Sequence, residues 1–144
     1  MRFVDTNILL YAVSTAAEEE PKALIARRLL DEADVALSVQ VLQEFYVQAT
    51  RPTKRDRLGH EQAVALVEAF SRFRVQELSL SIVRAALASC RRFRISYWDA
   101  AIIEAARTQG CHELLSEDLA HGRNYDGVRV VDPFRGRPPR AKRG

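Results

Sequence analysis

The chain has 144 residues, 47% of them apolar, and a formal net charge of +3. That length suits one domain with a real core and is too short for two ordinary ones, and the apolar share excludes a disordered chain. No apolar run reaches the roughly 18 residues of a membrane span, and Met1-Arg2-Phe3-Val4-Asp5 puts an acid where a secretion signal would build its apolar stretch, so a cytoplasmic location without membrane attachment is expected.

In chain order, Arg2–Asp5 is expected as a buried strand ending at Asp5, after which Thr6-Asn7 open a short helix carrying Ile8, Leu9, Leu10 and Tyr11. Glu18–Ala33 reads as a second helix. Its three opening glutamates suit the helix dipole, Pro21 is tolerated in a first turn, and Leu24, Ile25, Leu29 and Leu30 give the helical period. Val35–Val39 is a second strand, and Gln40–Thr50 a helix with Leu42, Phe45, Tyr46 and Ala49 on one face, closed by Pro52. Arg51–Gly59 is a polar, basic loop. Helix His60–Phe73, strand Arg74–Leu78, helix Ser81–Arg92 and helix Tyr97–Gln109 follow, the last ended by Gly110. Strands Glu113–Ser116 and Val128–Val131 complete the set. Strands alternating with helices or helix pairs predict an α/β fold, a parallel sheet covered on both faces.

The last stretch, residues 134–144, is read as a flexible basic tail on a domain spanning 1–133. It holds Arg135, Arg137, Arg140, Lys142 and Arg143 and no acid; taking these five from the 22 bases leaves 17 against 19 acids, a remainder of −2. Its prolines, glycines and like charges favour a solvated arm. Such an arm can touch phosphates non-specifically or serve solubility alone. Cys90 and Cys111 match no zinc spacing and read as reduced thiols.

Four acids carry the chemical signal: Asp5, Glu44, Asp99 and Asp118. Asp5 and Asp118 each follow a strand, and in an open parallel sheet the carboxyl ends of the strands share one edge, where ligands bind. Acids gathered there repel one another unless a hard divalent cation sits among their oxygens. Each acid also has an ordinary reading. Asp5 suits a helix N-cap. Glu44 lies on the polar side of its helix with Gln40, Gln43 and Gln48, where a solvated glutamate is the default. Asp99 falls among Ile102, Ile103 and Ala106 on an apolar face, yet Ser96-Tyr97-Trp98-Asp99 has capping-box spacing. Asp118 suits a loop cap, with Glu117 as its alternative and Ser116 able to orient either.

Taken together, Phe3-Val4-Asp5-Thr6-Asn7, Glu44, Tyr97-Trp98-Asp99-Ala100 and Leu115-Ser116-Glu117-Asp118 resemble the motifs of PIN-domain ribonucleases, most closely the small toxins called VapC, over about residues 2–133. The resemblance implies a three-layer α/β/α fold around a parallel sheet of four to five strands. It implies Mg²⁺ or Mn²⁺ held by Asp5, Asp99 and Asp118, with Glu44 completing the catalytic set and Thr6, Asn7 and Ser116 in support. It implies endonucleolytic cleavage of RNA to 5′-phosphate and 3′-hydroxyl ends, a small antitoxin as partner and a homodimer.

An acidic pocket repels RNA, so basic groups must surround it. Arg51, Lys54, Arg55 and Arg57 in the loop after Glu44's helix, and Arg91, Arg92 and Arg94 before Ser96, are the candidates. Tyr97 and Trp98 could stack on a base, with core packing the favoured reading. His60, His112 and His121 lie outside the acid motifs and receive no role. Two rival enzymes or modules fit less well. A signalling receiver domain needs an aspartate ending a middle strand, and neither Val35–Val39 nor Arg74–Leu78 supplies one. A haloacid-dehalogenase phosphatase needs an aspartate where Asn7 stands. A PIN-like module that binds RNA or protein without cutting remains the third reading.

Overall fold

The structure, a computed structural model, describes residues 1–32 and 34–135. Residues 136–144 of the expected basic tail, and Ala33 at the expected end of the second helix, lie outside the described residues. All five expected strands form, each three or four residues long: β1 (Arg2–Val4), β2 (Val35–Ser38), β3 (Arg74–Gln76), β4 (Glu113–Leu115) and β5 (Arg129–Val131). The helices are α1 (Thr6–Ala12), α2 (Glu20–Leu30), α3 (Val39–Ala49), α4 (His60–Phe70), α5 (Leu80–Phe93) and α6 (Tyr97–Thr108). The glutamate-rich start of the second expected helix is a separate 3-10 turn, Ala17–Glu19, ahead of α2.

The strands are parallel throughout, in the order β3-β2-β1-β4-β5. The chain therefore works outward from β1 to β3, then returns to the far side of β1. Right-handed crossovers put α1 to α4 on one face during the outward run and α5 and α6 on the other during the return. The observed pairs agree: α1 touches α2 and α3, α3 touches α4, and α5 packs on α6. A sheet covered on both faces needs apolar side chains in succession rather than in alternation. Phe3, Val4, Ala36, Leu37, Leu114, Leu115 and Val130 supply them, each at most 1% exposed.

Short polar side chains set where helices begin. Ser38, Ser79 and Ser96 cap α3, α5 and α6, accepting from the backbone N–H of Val41, Ile82 and Asp99. Gly110 follows α6 at φ 80, the left-handed conformation that ends a helix cheaply only at glycine. The far end of α6 is tied to the turn before β5 by Arg107. Its guanidinium donates to the carbonyls of Tyr125 at 2.8 Å and Asp126 at 2.6 Å and pairs with buried Glu104 at 2.9 Å. Phe134 still belongs to the packed part of the chain, edge-on to Tyr11 with ring centroids 5.0 Å apart.

The strands being so short, each buried side chain carries much of the sheet's burial. Leu114→Ala is expected to destabilise the protein by about 2–5 kcal/mol, read as a lower denaturant midpoint at unchanged m-value.

Candidate active site

The strand order reverses between β1 and β4, which makes that crevice the topological switch point, the place where open α/β sheets bind ligands. The register pairs Val4 with Leu115. One residue further, Asp5 and Ser116 stand side by side, with the Asp5 N–H donating to the Leu115 carbonyl at 3.0 Å. Asp5 caps α1, its Oδ1 accepting from the Thr6 N–H at 2.8 Å. Its Oδ2 accepts from Ser116 Oγ at 2.7 Å. The cap reading of Asp5 holds through Oδ1, and Oδ2 is held by Ser116 at the strand edge.

Ser116 is fully buried and organises the loop after β4. Its Oγ also accepts from the N–H of Asp118 at 3.1 Å and of Leu119 at 3.4 Å. Asn7 works from the opposite side: its Nδ2 donates to Asp118 Oδ2 at 3.2 Å and its Oδ1 accepts from the Glu117 N–H at 3.2 Å. Glu44, expected on a polar helix face, is half-buried because its side of that face, with buried Gln40, turns toward α1 while Gln43 and Gln48 stay exposed. It accepts from Thr6 Oγ1 at 2.8 Å and from Gln40 Nε2 at 3.0 Å. Asp99 lies in the first turn of α6, where its N–H donates to Ser96 Oγ at 3.0 Å.

These elements enclose a hollow of about 280 Å³ whose lining includes Asp5, Glu44, Asp99 and Asp118, with Glu19, Glu117, Thr6, Asn7, Tyr11, Gln48, Lys54 and Trp98. The acids sense one another. Burial pushes the Asp5 carboxyl up to about 6, and the charges of Asp118 and Glu44 push the same way against the hydrogen bonds from Ser116 and Thr6. Asp99 is raised by burial first and by the same two charges, with Ser96 opposing. Glu117 behaves differently. Burial pushes it up, but hydrogen bonds from Lys22 and Tyr11, the latter at 2.6 Å, outweigh burial and hold it below the usual range.

A profile of the PIN domain matches residues 2–126. The chain belongs to the PIN domain family. Solved structures share its fold. A toxin–antitoxin complex from Klebsiella pneumoniae superposes with a TM-score of 0.67 at 22% identity, over 92% of this chain and 98% of that one. VapC20 of Mycobacterium tuberculosis, a sarcin-ricin loop cleaving toxin, gives 0.65 at 24%, over 82% and 92%. DNA-bound VapBC from Salmonella typhimurium gives 0.63 at 20%, over 92% and 97%. No curated protein is significantly similar in sequence.

The donors in this PIN domain suit a hard cation: carboxylates, an amide and hydroxyls, oxygen-rich and with acids outnumbering the single lining lysine. Among the described residues, no three Asp, Glu, His or Cys side chains form a ready-made cage for an ion. The acids surround the hollow from α1, α3, α6 and the loop after β4, and an ion would have to draw them together.

Of the basic candidates, Lys54 lines the hollow. Arg51, Arg55 and Arg57 are exposed on its loop. Arg91, Arg92 and Arg94 cluster at the end of α5 and do not line it; Arg92 is drawn to Asp126 at 3.3 Å. Trp98 is 64% exposed on the lip of the hollow, so the favoured expectation of core packing fails for it: its place in α6 turns the indole outward while Ala100 and Ala101 turn in. Tyr97 is half-buried and packs against the Ala86–Ala100–Ala101 cluster. Gln40, Tyr11, Lys22 and Asp56 were not singled out from sequence. Gln40 had a usable signal, being one helical turn before Glu44.

Between its ordinary value of 3.8 and about 6, the folded protein holds a proton on Asp5 that the unfolded chain has lost. Stability therefore falls as pH rises through that window. In chelator, the melting temperature should decline from pH 4 to 7, and Asp5→Asn should flatten the decline and melt higher than the parent at pH 8.

Proposed function

We propose that this PIN domain is a metal-dependent endoribonuclease and the toxin of a type II toxin–antitoxin pair. One observation carries the reading: Asp5, Glu44, Asp99 and Asp118, spread over most of the sequence, line a single hollow at the switch point of a PIN fold. The neighbours that share the fold include VapC20 and several toxin–antitoxin complexes, which supports both halves of the proposal.

Asp5, Asp99 and Asp118 would hold Mg²⁺ or Mn²⁺, which offsets charge on the phosphate and activates water for in-line attack. The chain's own residues prepare the place. Ser116 and Asn7 fix the carboxylates of Asp5 and Asp118, and Thr6 and Gln40 fix Glu44. The Lys22 and Tyr11 bonds hold Glu117 to one side, which favours Asp118 over its neighbour as the acid that serves the site. Trp98 at the lip offers an exposed face for a base. Arg51, Arg55 and Arg57 offer charge to the RNA backbone, and Arg91, Arg92 and Arg94 a second basic group. The partner is a small antitoxin that covers the hollow. Exposed Leu80 and Leu87 on α5 leave apolar surface for a second copy of the chain.

Asp5→Asn and Asp99→Asn should each reduce cleavage of single-stranded RNA to background while circular dichroism remains that of the parent. Ser116→Ala, which only releases Asp5 and the following loop, should cost about 10–100-fold. EDTA should stop the parent reaction and Mg²⁺ or Mn²⁺ restore it, with 5′-phosphate and 3′-hydroxyl ends on the products. Parent-rate cutting by either aspartate variant, or full activity in EDTA, removes the proposal.

A further inference from the structure

Lys54 is the one cation among the described residues lining the hollow, where it shares the wall with the carboxyl groups of Asp5, Glu19, Glu44, Asp99, Glu117 and Asp118. It is not a loose side chain on a loop. Its ammonium lies 3.0 Å from Asp56 Oδ1, and the two side chains are only 25% and 14% exposed. Asp56 is gripped in turn: its Oδ2 accepts from the Thr15 N–H at 3.0 Å and from Ser14 Oγ at 3.2 Å. The loop after α3 is thereby clasped to the turn after α1. Backbone bonds from Lys54 N–H to the Arg51 carbonyl and from Arg57 N–H to the Lys54 carbonyl coil the loop on either side of the lysine. The Lys54 hydrogen bond, helped by the Thr15 N–H, holds the Asp56 carboxyl down to about 2, so Asp56 presents a negative charge to the ammonium.

An ammonium has three donors, and among the described residues Asp56 is the one carboxylate that pairs with it. A phosphodiester entering the hollow meets the carboxyl groups of Asp5, Glu19, Glu44, Asp99 and Asp118, while Glu117 is already paired with Lys22 outside the lining, and Lys54 is the one lining cation it meets. The exposed arginines of the same loop can attract RNA from a distance, but they do not reach the wall where a phosphate would sit. We propose that Lys54 grips a non-bridging oxygen of the RNA phosphate inside the hollow, with Asp56 as the positioning residue that fixes the ammonium there. This rests on the ribonuclease reading above, and it separates Lys54 from the general basic rim.

The test begins without cleavage. Binding of a single-stranded oligoribonucleotide is measured in EDTA across a salt series. Lys54→Gln should weaken binding about 10-fold, the scale of a lost hydrogen bond to a charged group, and should lower the salt slope by about 0.7. Lys54→Arg should recover most of the loss, and Arg84→Gln, on exposed α5, should match the parent. Without RNA, Lys54→Gln should bind Mn²⁺ more tightly than the parent, because a cation has left the hollow; a lysine that merely staples the loop would lower the melting temperature and leave the RNA affinity and salt slope unmoved. With metal and RNA present, Asp56→Asn should lower kcat more than it raises KM, since the charge survives without its fixed seat. Lys54→Gln with the parent's affinity and salt slope overturns the grip, and parent-like kcat in Asp56→Asn overturns the positioning role. A parent protein that binds RNA through Lys54 in EDTA but never cuts it with Mg²⁺ or Mn²⁺ would sink the nuclease reading and leave the grip standing.

Discussion

Everything at the site depends on the parallel pairing of β1 with β4. Because Val4 stands beside Leu115, the next residue of each strand, Asp5 and Ser116, must meet. A slip of one residue would turn the side chains of β4 to the opposite face and separate the aspartate from its serine. The register is held by burial: Phe3, Val4, Leu114 and Leu115 are buried on both faces of the sheet, and none can be exchanged for a polar neighbour without cost. The apolar strands thus bring Asp5 within hydrogen-bond length of Ser116, although the strands contain only three residues apiece.

The arrangement works against stability. Asp5 is nine-tenths buried, beside charges of its own sign, and its raised pKa measures the strain of keeping it ionised. Such tension between local stability and a concentrated polar site is expected where a fold serves chemistry. The rest of the molecule compensates through ordinary packing and through clasps that hold loops down: Arg107 on the turn before β5, Asp56 on the turn after α1, and Lys22 with Tyr11 on Glu117.

Much of this was legible in the sequence. Strand and helix alternation points to the parallel sheet; the starts at His60 and Tyr97 agree with expectation, and most other helix boundaries deviate by one to three residues, because hydrophobic periodicity blurs ends that caps such as Ser38 define. Asp5 and Asp118 are legible by their position after strands and Glu44 and Asp99 by motif, and the structure brings all four to the lining of one hollow. What periodicity could not show was direction. Glu44 lies off the apolar stripe, yet its side chain reaches Thr6 and the lining of the hollow rather than bulk solvent. Trp98 is apolar and expected inside, yet its place in the first turn of α6 points it outward. Lys54 and Asp56 sit in a loop without any period, and only the contact between that loop and Ser14–Thr15 gives them a shared place.

Trp98 has one more consequence. It is the sole tryptophan in the chain, and it stands more than half in water at the mouth of the acidic hollow. The protein's native fluorescence therefore comes from a single indole at the entrance. Any molecule that shields that ring from solvent, whether nucleotide, peptide or second subunit, should change the colour and intensity of its emission, giving the protein a built-in optical gauge of its own occupancy.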